Sequence, residues 1–233
     1  SPNIGAIHSF SFHNYVTLFT TPELIDMIIG SIALAIGSAV LATILGTTGA
    51  IGAFYSKKNV NGTMSVLNQI PVVNADVVTG FSLCILLVVV FGVSKNTYIP
   101  LVIGHTVLSA PFVYLAVVPK LKQMDPSLYE AALDLGATPG YTLIHIIIPQ
   151  IASGIISGFV MAVTLSLDDY FVATYTKPAT FDTISTYVVN ATKGSQTNIR
   201  TALWALSTII FLIVVIVEVV MNFAPIKNEA QKE

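Results

Sequence analysis

Two adjacent carboxylates, Asp168 and Asp169, lie at the end of a long apolar stretch of this chain. Ionisable side chains in such a stretch are costly to bury and are therefore candidates for a functional site. Carboxylates in a low-dielectric environment can bind a cationic solute, and the aromatic rings of Tyr170 and Phe171 can contribute. A structural role is the alternative, because both carboxylates could cap a helix end or pair with Lys177 and Arg200.

The apolar stretch before these carboxylates carries a stripe of polar side chains. At helical spacing, four of them fall within about 60° of one another: Ser153, Ser157, Thr164 and Asp168. Such a stripe should face protein or water, because lipid offers no hydrogen bonds. Asp169 points about 100° away from Asp168 on an unbroken helix. An unbroken helix would therefore not direct both carboxylates into one path.

A second candidate site lies in the segment 119–149, which connects two apolar stretches. Asp125 and Pro126 are typical of a helix start, and Gly136 is typical of a helix end. Start and stop signals of the same kind recur over 138–149. We therefore predict two short helices in this segment.

The first of these helices has one apolar face, formed at helical spacing by Leu128, Ala131, Ala132 and Leu135. Alanine in the middle of the face would let another backbone approach closely. A compact amphipathic segment of this kind is suited to binding in a groove of a partner protein.

The elements that position these residues must be membrane-spanning helices. Hydrophobic residues make up 54% of the chain and charged residues only 9%, against about 25% charged in soluble domains. The mean hydropathy is +0.81. So few charges could not form the polar surface of a soluble domain. The net charge of −2 gives no indication of a nucleic-acid partner.

Five stretches are long enough to cross about 30 Å of hydrocarbon, which takes about 20 residues: 24–53, 72–93, 99–118, 150–173 and 201–223. They predict an all-α fold, a polytopic transmembrane helical bundle over 24–223. Small residues at four-residue spacing, such as Gly154 and Gly158, are predicted to permit close helix contacts within it.

Lysine and arginine are enriched in cytoplasmic loops, so their distribution predicts the orientation. Placing 54–71, 119–149 and the tail 224–233 on one side collects six of them, against four on the other side. That side is predicted to be cytoplasmic, with the C-terminus inside and the lead-in 1–23 outside. About 28 Å of helix separates Pro149 from Asp168, which places the acidic pair towards the outer side.

Two further expectations follow from this topology. Asp76 lies near an inner span end, where it is predicted to cap a helix. An N-terminus outside the cell normally needs a preceding span, and no apolar segment precedes residue 24. We therefore expect an additional first span that this sequence lacks.

The segment 119–149 also resembles a known family. The EAA loop of ABC-importer permeases has the pattern E-A-A-x-x-x-G, nine residues, then I-x-L-P. The matching residues here are Glu130, Ala131, Ala132, Gly136, Ile146 and Pro149. The chain departs from the pattern only at Ile148, which replaces leucine at similar volume. A spaced pattern between two spans is far more specific than the tripeptide alone.

This resemblance implies the type I ABC importer permease fold, usually of six spans, with the first one missing here. In that family the loop is the coupling helix, which docks into a cleft of a cytoplasmic ATPase. The residues that would carry this contact are Glu130, Ala131, Ala132 and Gly136.

The resemblance also implies the partners: a sister permease subunit, two ATPase subunits and an extracytoplasmic substrate-binding protein. ATP and magnesium would be bound by the ATPase. The sequence has no Walker A motif. We expect this chain to bind no cofactor or metal itself and not to be an enzyme.

A narrower resemblance concerns the second permease subunit of spermidine/putrescine importers. The segments that carry it are 164–169 (TLSLDD), 76–83 (DVVTGFSL) and 105–113 (HTVLSAPFV). It implies a multi-pass protein of the plasma or inner membrane that imports polyamines. The candidate residues along the substrate path are Asp168, Asp169 and Thr164, which lie in the first of these segments, and Tyr170, which follows it directly.

Three rival interpretations remain open. A permease for another small solute would have the same loop, although an anion path would favour Arg or Lys in the spans, which have almost none. An intramembrane enzyme would need converging catalytic groups, and the histidines are spread over positions 8, 13, 105 and 145. A stand-alone channel would leave the loop pattern unexplained.

Overall fold

A computed structural model of the chain describes residues 16, 19–125, 127–193, 206–209, 211, 212, 215, 216 and 219. Within these residues the chain forms helices and turns and no strand, so the all-α prediction is confirmed. The lead-in 1–23 and the last predicted span, 201–223, fall mostly outside the described residues. The tail 224–233 falls outside them entirely.

The described helices run in chain order as α1 (Pro22–Phe54), α2 (Lys58–Val73), α3 (Asp76–Val90), α4 (Ile99–Gln123), α5 (Ser127–Asp134), α6 (Pro139–Gln150), α7 (Ala152–Asp168), α8 (Phe171–Thr176) and α9 (Ile184–Lys193). Two of them contain π-helical turns, at Ile85–Val90 in α3 and at Leu143–Ile147 in α6. The chain divides into a larger unit, Ala33–Thr180, and a smaller one made of Ser1–Ile32 with Phe181–Glu233.

Two of the described helices, α1 and α4, are long and apolar enough to cross a membrane by themselves. Two bent pairs meet the same test when each is counted as one span. Residues 61–73 of α2 meet α3 at 104°, and α6 meets α7 at 72°. The described part of the chain therefore contains up to four candidate spans.

Helix bounds differ from the predicted spans at two points. The predicted span 72–93 contains a break at Asn74 and Ala75, whose extended backbone separates α2 from α3. The Asn74 amide donates a 3.0 Å hydrogen bond to the hydroxyl of Thr79, which fixes the bend. The predicted span 150–173 is interrupted at Asp169, where the backbone is again extended.

Helix α4 is at the centre of the larger unit, because α1, α2, α3, α7 and α8 all pack against it. The fully buried apolar core that it shares with α1, α6 and α7 contains Ala39, Ala42, Ala50, Ala53, Val113, Tyr114, Val117, Leu121, Ile147, Ile151 and Ala162. The contribution of α1 to this core consists of alanines, so the two helix backbones lie close together.

Glycines bring neighbouring backbones into contact with α4. A methyl group at Gly46 of α1 would lie 2.7 Å from the Ala110 carbonyl oxygen and 2.7 Å from the Val113 Cβ. A methyl group at Gly158 of α7 would lie 3.0 Å from the Val113 Cα, and one at Gly154 would meet the backbone of α4 in the same way. The close contacts predicted for the Gly154 and Gly158 pair are therefore confirmed.

The smaller unit has an apolar cluster of its own, consisting of Leu24, Met27, Ile184 and Leu206. The backbone N–H of Ile184 donates a 2.9 Å hydrogen bond to the Ser31 hydroxyl of α1. This bond fixes the start of α9 against the first turns of α1.

We predict that Gly46→Ala destabilises the protein, because backbone atoms of α4 must move to admit the methyl group. Overpacking of this kind costs about 1–3 kcal/mol. Gly37→Ala is the matched control, since a Cβ at Gly37 of the same helix meets nothing within 4 Å. The measurement is the thermal unfolding midpoint of the detergent-purified transporter. Equal midpoints for the two variants would contradict the contact.

Candidate functional site

The break after α7 is made by the carboxylate of Asp169. Its oxygens accept hydrogen bonds from the backbone N–H groups of Val172, at 3.2 Å, and Ala173, at 2.7 Å. These are the second and third residues of α8, whose N–H groups have no partner within the helix, so Asp169 caps that helix from two residues before its start. The side chain is buried, with 8% of its surface exposed.

The two adjacent carboxylates therefore have different environments. Asp168 is the last residue of α7 and its side chain is exposed on the surface of the chain, whereas Asp169 is buried and capping. The predicted capping role thus applies to Asp169, whereas a role of Asp168 in binding a solute stays a prediction. Only Asp168 is free of the cap and open to a solute.

Asp76, which was predicted to cap a helix near a span end, lies in the first turn of α3. It is close enough to Asp169 for their charges to interact, and so is Asp168. The 104° bend between α2 and α3 precedes Asp76, and α3 packs against α8. Three carboxylates, two of them exposed, surround the break.

Two glycines position α8 in the angle between α3 and α4. A methyl group at Gly80 of α3 would lie 2.9 Å from the Val172 Cα, and one at Gly104 of α4 would lie 2.7 Å from the Val172 Cγ1. The short helix therefore has its backbone against α3 and its Val172 side chain against the backbone of α4, and the break at Asp169 is a defined feature of the fold.

A buried polar chain that the sequence did not predict runs beneath the break. His105 of α4 has no exposed surface, and its Nδ1 lies 2.8 Å from the Ser166 hydroxyl of α7. The Ser166 hydroxyl lies 3.3 Å from that of Ser38 on α1. The Nε2 of His105 lies 3.7 Å from the nearer carboxylate oxygen of Asp169. His105 is thus buried and hydrogen-bonded within the packing of the larger unit.

The polar stripe of α7 is on the outside of this chain. The opposite face of the helix is buried, through Gly154, Gly158, Ala162 and Ser166. Ser153, Ser157 and Asp168 are exposed, while Thr164 is half-buried and donates a 3.0 Å hydrogen bond to the Val160 carbonyl. A helix with one face bound to its own chain and an opposite polar face requires water or a second protein on that side.

Two pairs of aromatic rings involve the segment that follows the break. Tyr170 is half-buried and meets the exposed ring of Phe171 edge to face, with 5.2 Å between centroids. On the neighbouring helices, Phe81 and Tyr175 form a similar pair at 5.6 Å. Rings in this position can contribute to the binding of a cation near Asp168.

The predicted short helix of the second site is α5, which starts and ends as expected. Asp125 accepts hydrogen bonds from the Ser127 N–H, at 2.9 Å, and from the Ser127 hydroxyl, at 2.8 Å. These bonds hold the pKa of the Asp125 carboxyl below its usual value. After the helix, Gly136 has a φ of +87°, and bonds from Gly136 to Leu133 and from Ala137 to Ala132 complete a Schellman motif.

The four predicted coupling residues fall into two groups. Glu130 and Ala131 are exposed on α5. Ala132 is buried, and Gly136 supplies the positive φ that ends the helix, so these two shape the loop. The apolar face of α5 ends at Leu135, which is 90% exposed.

A cleft of about 600 Å³ opens beside Glu130. Its lining residues come from the end of α1, from α5 and from α6: Ile51, Gly52, Tyr55, Tyr129, Glu130, Leu133 and Leu143. The rings of Tyr55 and Tyr129 meet across it, with 4.9 Å between centroids. Burial raises the pKa of the Tyr55 hydroxyl, and Tyr129 adds to the shift. The loop thus rests on α1 while its outer face stays open.

Metal ligation has no support in the described part of the chain, where no three His, Cys, Asp or Glu side chains are grouped to hold an ion.

Comparisons with known proteins agree on the class. Residues 47–224 match the family of binding-protein-dependent transport system inner membrane components. The spermidine/putrescine transport system permease protein PotC of Haemophilus influenzae is 30% identical over 223 residues, which cover 94% of this chain and 83% of the relative. PotC of Escherichia coli K12 is 28% identical over 206 residues, covering 87% and 76%.

A solved structure shares the fold. The crystal structure of a bacterial alginate ABC transporter, in complex with an alginate pentasaccharide-bound periplasmic protein, contains a chain that matches with a TM-score of 0.68 and 19% identity. The match covers 89% of this chain and 81% of that one. The predicted transmembrane permease fold is therefore confirmed.

The chain belongs to the binding-protein-dependent transport system inner membrane components. It is a permease subunit of an ABC importer, a multi-pass membrane protein whose family works with an ATPase and a binding protein.

We predict that Gly136→Ala loosens α5, because alanine disfavours the positive φ that the Schellman motif requires. The penalty of about 1 kcal/mol should make the amides of α5 exchange about fivefold faster with solvent deuterium. Gly140→Ala serves as control, since a Cβ there meets nothing within 4 Å and needs no unusual φ. Unchanged exchange of α5 in Gly136→Ala would show that the motif does not hold the loop.

Proposed function

We propose that this permease imports polyamines such as spermidine or putrescine into the cytoplasm. The observation that carries the proposal is the exposed polar stripe of α7, which ends at Asp168 beside the aromatic pair of Tyr170 and Phe171. In a membrane such a stripe must line an aqueous path or a subunit interface. Both are expected where two permease subunits enclose a translocation path.

The chemistry around the break suits a polycation. A polyamine gives up part of the hydration of its ammonium groups on entering the membrane, and a carboxylate in a low-dielectric path offsets that loss. Asp168 and Asp76 are exposed carboxylates that each lie near the capped Asp169. Two exposed carboxylates near one break suit a ligand with two cationic groups.

The relatives support the same substrate. Both PotC proteins are named as spermidine/putrescine transport permeases, and the aligned region spans most of this chain. A permease for another small solute is the alternative, because the loop and fold would be shared by any importer of this family. An acidic, arginine-poor path favours a cation over an anion.

We assign ATPase coupling to the loop around α5. The exposed Glu130 and Ala131, together with the protruding Leu135, would contact the groove of the ATPase. Ala132, which is buried, and Gly136, which ends the helix, would maintain the conformation of the loop. Closure of the ATPases on ATP would then move this loop and switch the access of the path from one side to the other.

The assembly proposed has this chain paired with a sister permease subunit, two ATPase subunits on the cytoplasmic loops and an extracytoplasmic substrate-binding protein. The loop and the C-terminus would be cytoplasmic, as the lysine distribution predicts. The chain itself would carry no nucleotide and catalyse no reaction, since ATP and magnesium would bind to the ATPases.

We predict that Asp168→Asn raises the KM for spermidine uptake at least about tenfold, because a charged partner contributes about 1.5–3 kcal/mol. Uptake of radiolabelled spermidine is measured in cells lacking their own importer and expressing the whole transporter, at matched membrane levels. Asp26→Asn, which neutralises another exposed carboxylate on an apolar helix, should leave KM unchanged. A wild type that imports no polyamine would refute the substrate assignment.

For the coupling loop, we predict that Glu130→Ala lowers the rate of uptake at saturating substrate at least about tenfold while KM stays close to that of wild type. Asp134→Ala is the matched control, because Asp134 is an exposed acid on the same helix that does not line the cleft beside Glu130. Co-purification of the ATPase subunits is measured in parallel. Equal loss in both variants would mean that only the charge of α5 matters.

A further inference from the structure

We propose that His105 is a positioning residue for the acidic break: through its Nε2 it holds Asp169, and thereby keeps Asp168 directed outward for the substrate. The inference rests on the proposed polyamine path for its functional consequence. The geometry it uses belongs to the larger unit alone and does not depend on the substrate.

His105 is placed for this role by complete burial. Its side chain has no exposed surface, and its Nδ1 is engaged by the Ser166 hydroxyl at 2.8 Å. Its Nε2 has no hydrogen-bond partner among the residues that the structure describes, and the carboxylate oxygen of Asp169 lies 3.7 Å away. A buried ring nitrogen that faces a carboxylate without reaching it is an unusual arrangement, because buried polar atoms are normally paired.

The proposed role uses the tautomer in which the Ser166 hydroxyl donates to Nδ1 of His105. This hydroxyl has one hydrogen to donate, and Nδ1 lies nearer to it, at 2.8 Å, than the Ser38 hydroxyl, at 3.3 Å, which itself donates to the Leu34 carbonyl. With Nδ1 accepting, Nε2 carries the ring hydrogen and points it at Asp169. The polar chain then runs in one direction, from α7 through the ring to the break.

This arrangement couples two functions of one turn of α4. Gly104 admits the side chain of Val172 and so seats α8, while the adjacent His105 faces the residue that caps α8. At 3.7 Å the contact is longer than a direct hydrogen bond and acts electrostatically. A movement of about 0.7 Å would close it into a charge-assisted bond. The ring therefore favours the observed position of Asp169 but does not fix it by a hydrogen bond.

The first test separates positioning from packing. His105→Leu removes both nitrogens, whereas His105→Gln keeps a donor near the position of Nε2. We expect His105→Leu to raise the KM for spermidine about tenfold with a maximal rate within about twofold of wild type. His105→Gln should recover most of the loss. Ser109→Ala, one turn further along α4, removes a buried hydroxyl that has no partner in the described structure and should change neither constant.

The second test does not use the substrate. Amide hydrogen exchange is measured over residues 170–177 in the purified, complete transporter in lipid nanodiscs. We expect about tenfold faster exchange in His105→Leu than in wild type, and near-normal exchange in His105→Gln.

Each outcome decides one point. If the wild type imports no polyamine but the exchange pattern appears, the substrate proposal fails and the positioning role stands. If His105→Gln behaves like His105→Leu in both tests, or if neither variant differs from wild type, the positioning role is wrong.

Discussion

Within lipid, burying apolar surface gives little preference for one helix neighbour over another, so specific association depends on close contact between backbones. In this protein those contacts converge on α4. Gly46 of α1 and Gly158 of α7 bring their helices onto the backbone at Val113, and Gly104 of α4 itself admits α8. The remaining features of the larger unit, including the acidic break and the loop around α5, take their positions from this central helix.

Local chemistry made part of the structure predictable. Asp125 and Gly136 delimit α5 through hydrogen bonds between residues that are neighbours in sequence, so their types alone indicate the helix ends. The sequence did not predict the break inside 72–93. Apolar composition indicates that a segment lies in the membrane, but it does not indicate whether the helix is straight or bent. The bend depends on the extended backbone at Asn74 and Ala75 and on a side-chain bond to Thr79.

The residues of the candidate site could be predicted from the sequence, but the different role of each residue could not. The stripe ending at Asp168 follows from helical periodicity. Asp169 caps α8 while Asp168 stays exposed because the helix is interrupted at Asp169. The periodicity argument assumes an unbroken helix and so could not predict this difference. The link from His105 to Ser166 joins residues 61 positions apart, and that from Ser38 to Ser166 joins residues 128 apart. One sequence holds no signal for pairings at such distances.

The flanks of α7 give it a further property. Its glycine face is bound to α4 along most of its length, while a 72° bend at its start and the extended backbone at Asp169 interrupt the chain at either end. Because α8 also packs against α4, the break at Asp169 lies within one packed group of helices. A displacement of the loop is then expected to turn α4, α7 and α8 together as one rigid body about the bend at the start of α7, and Asp168, at the far end of α7 from this bend, moves with them.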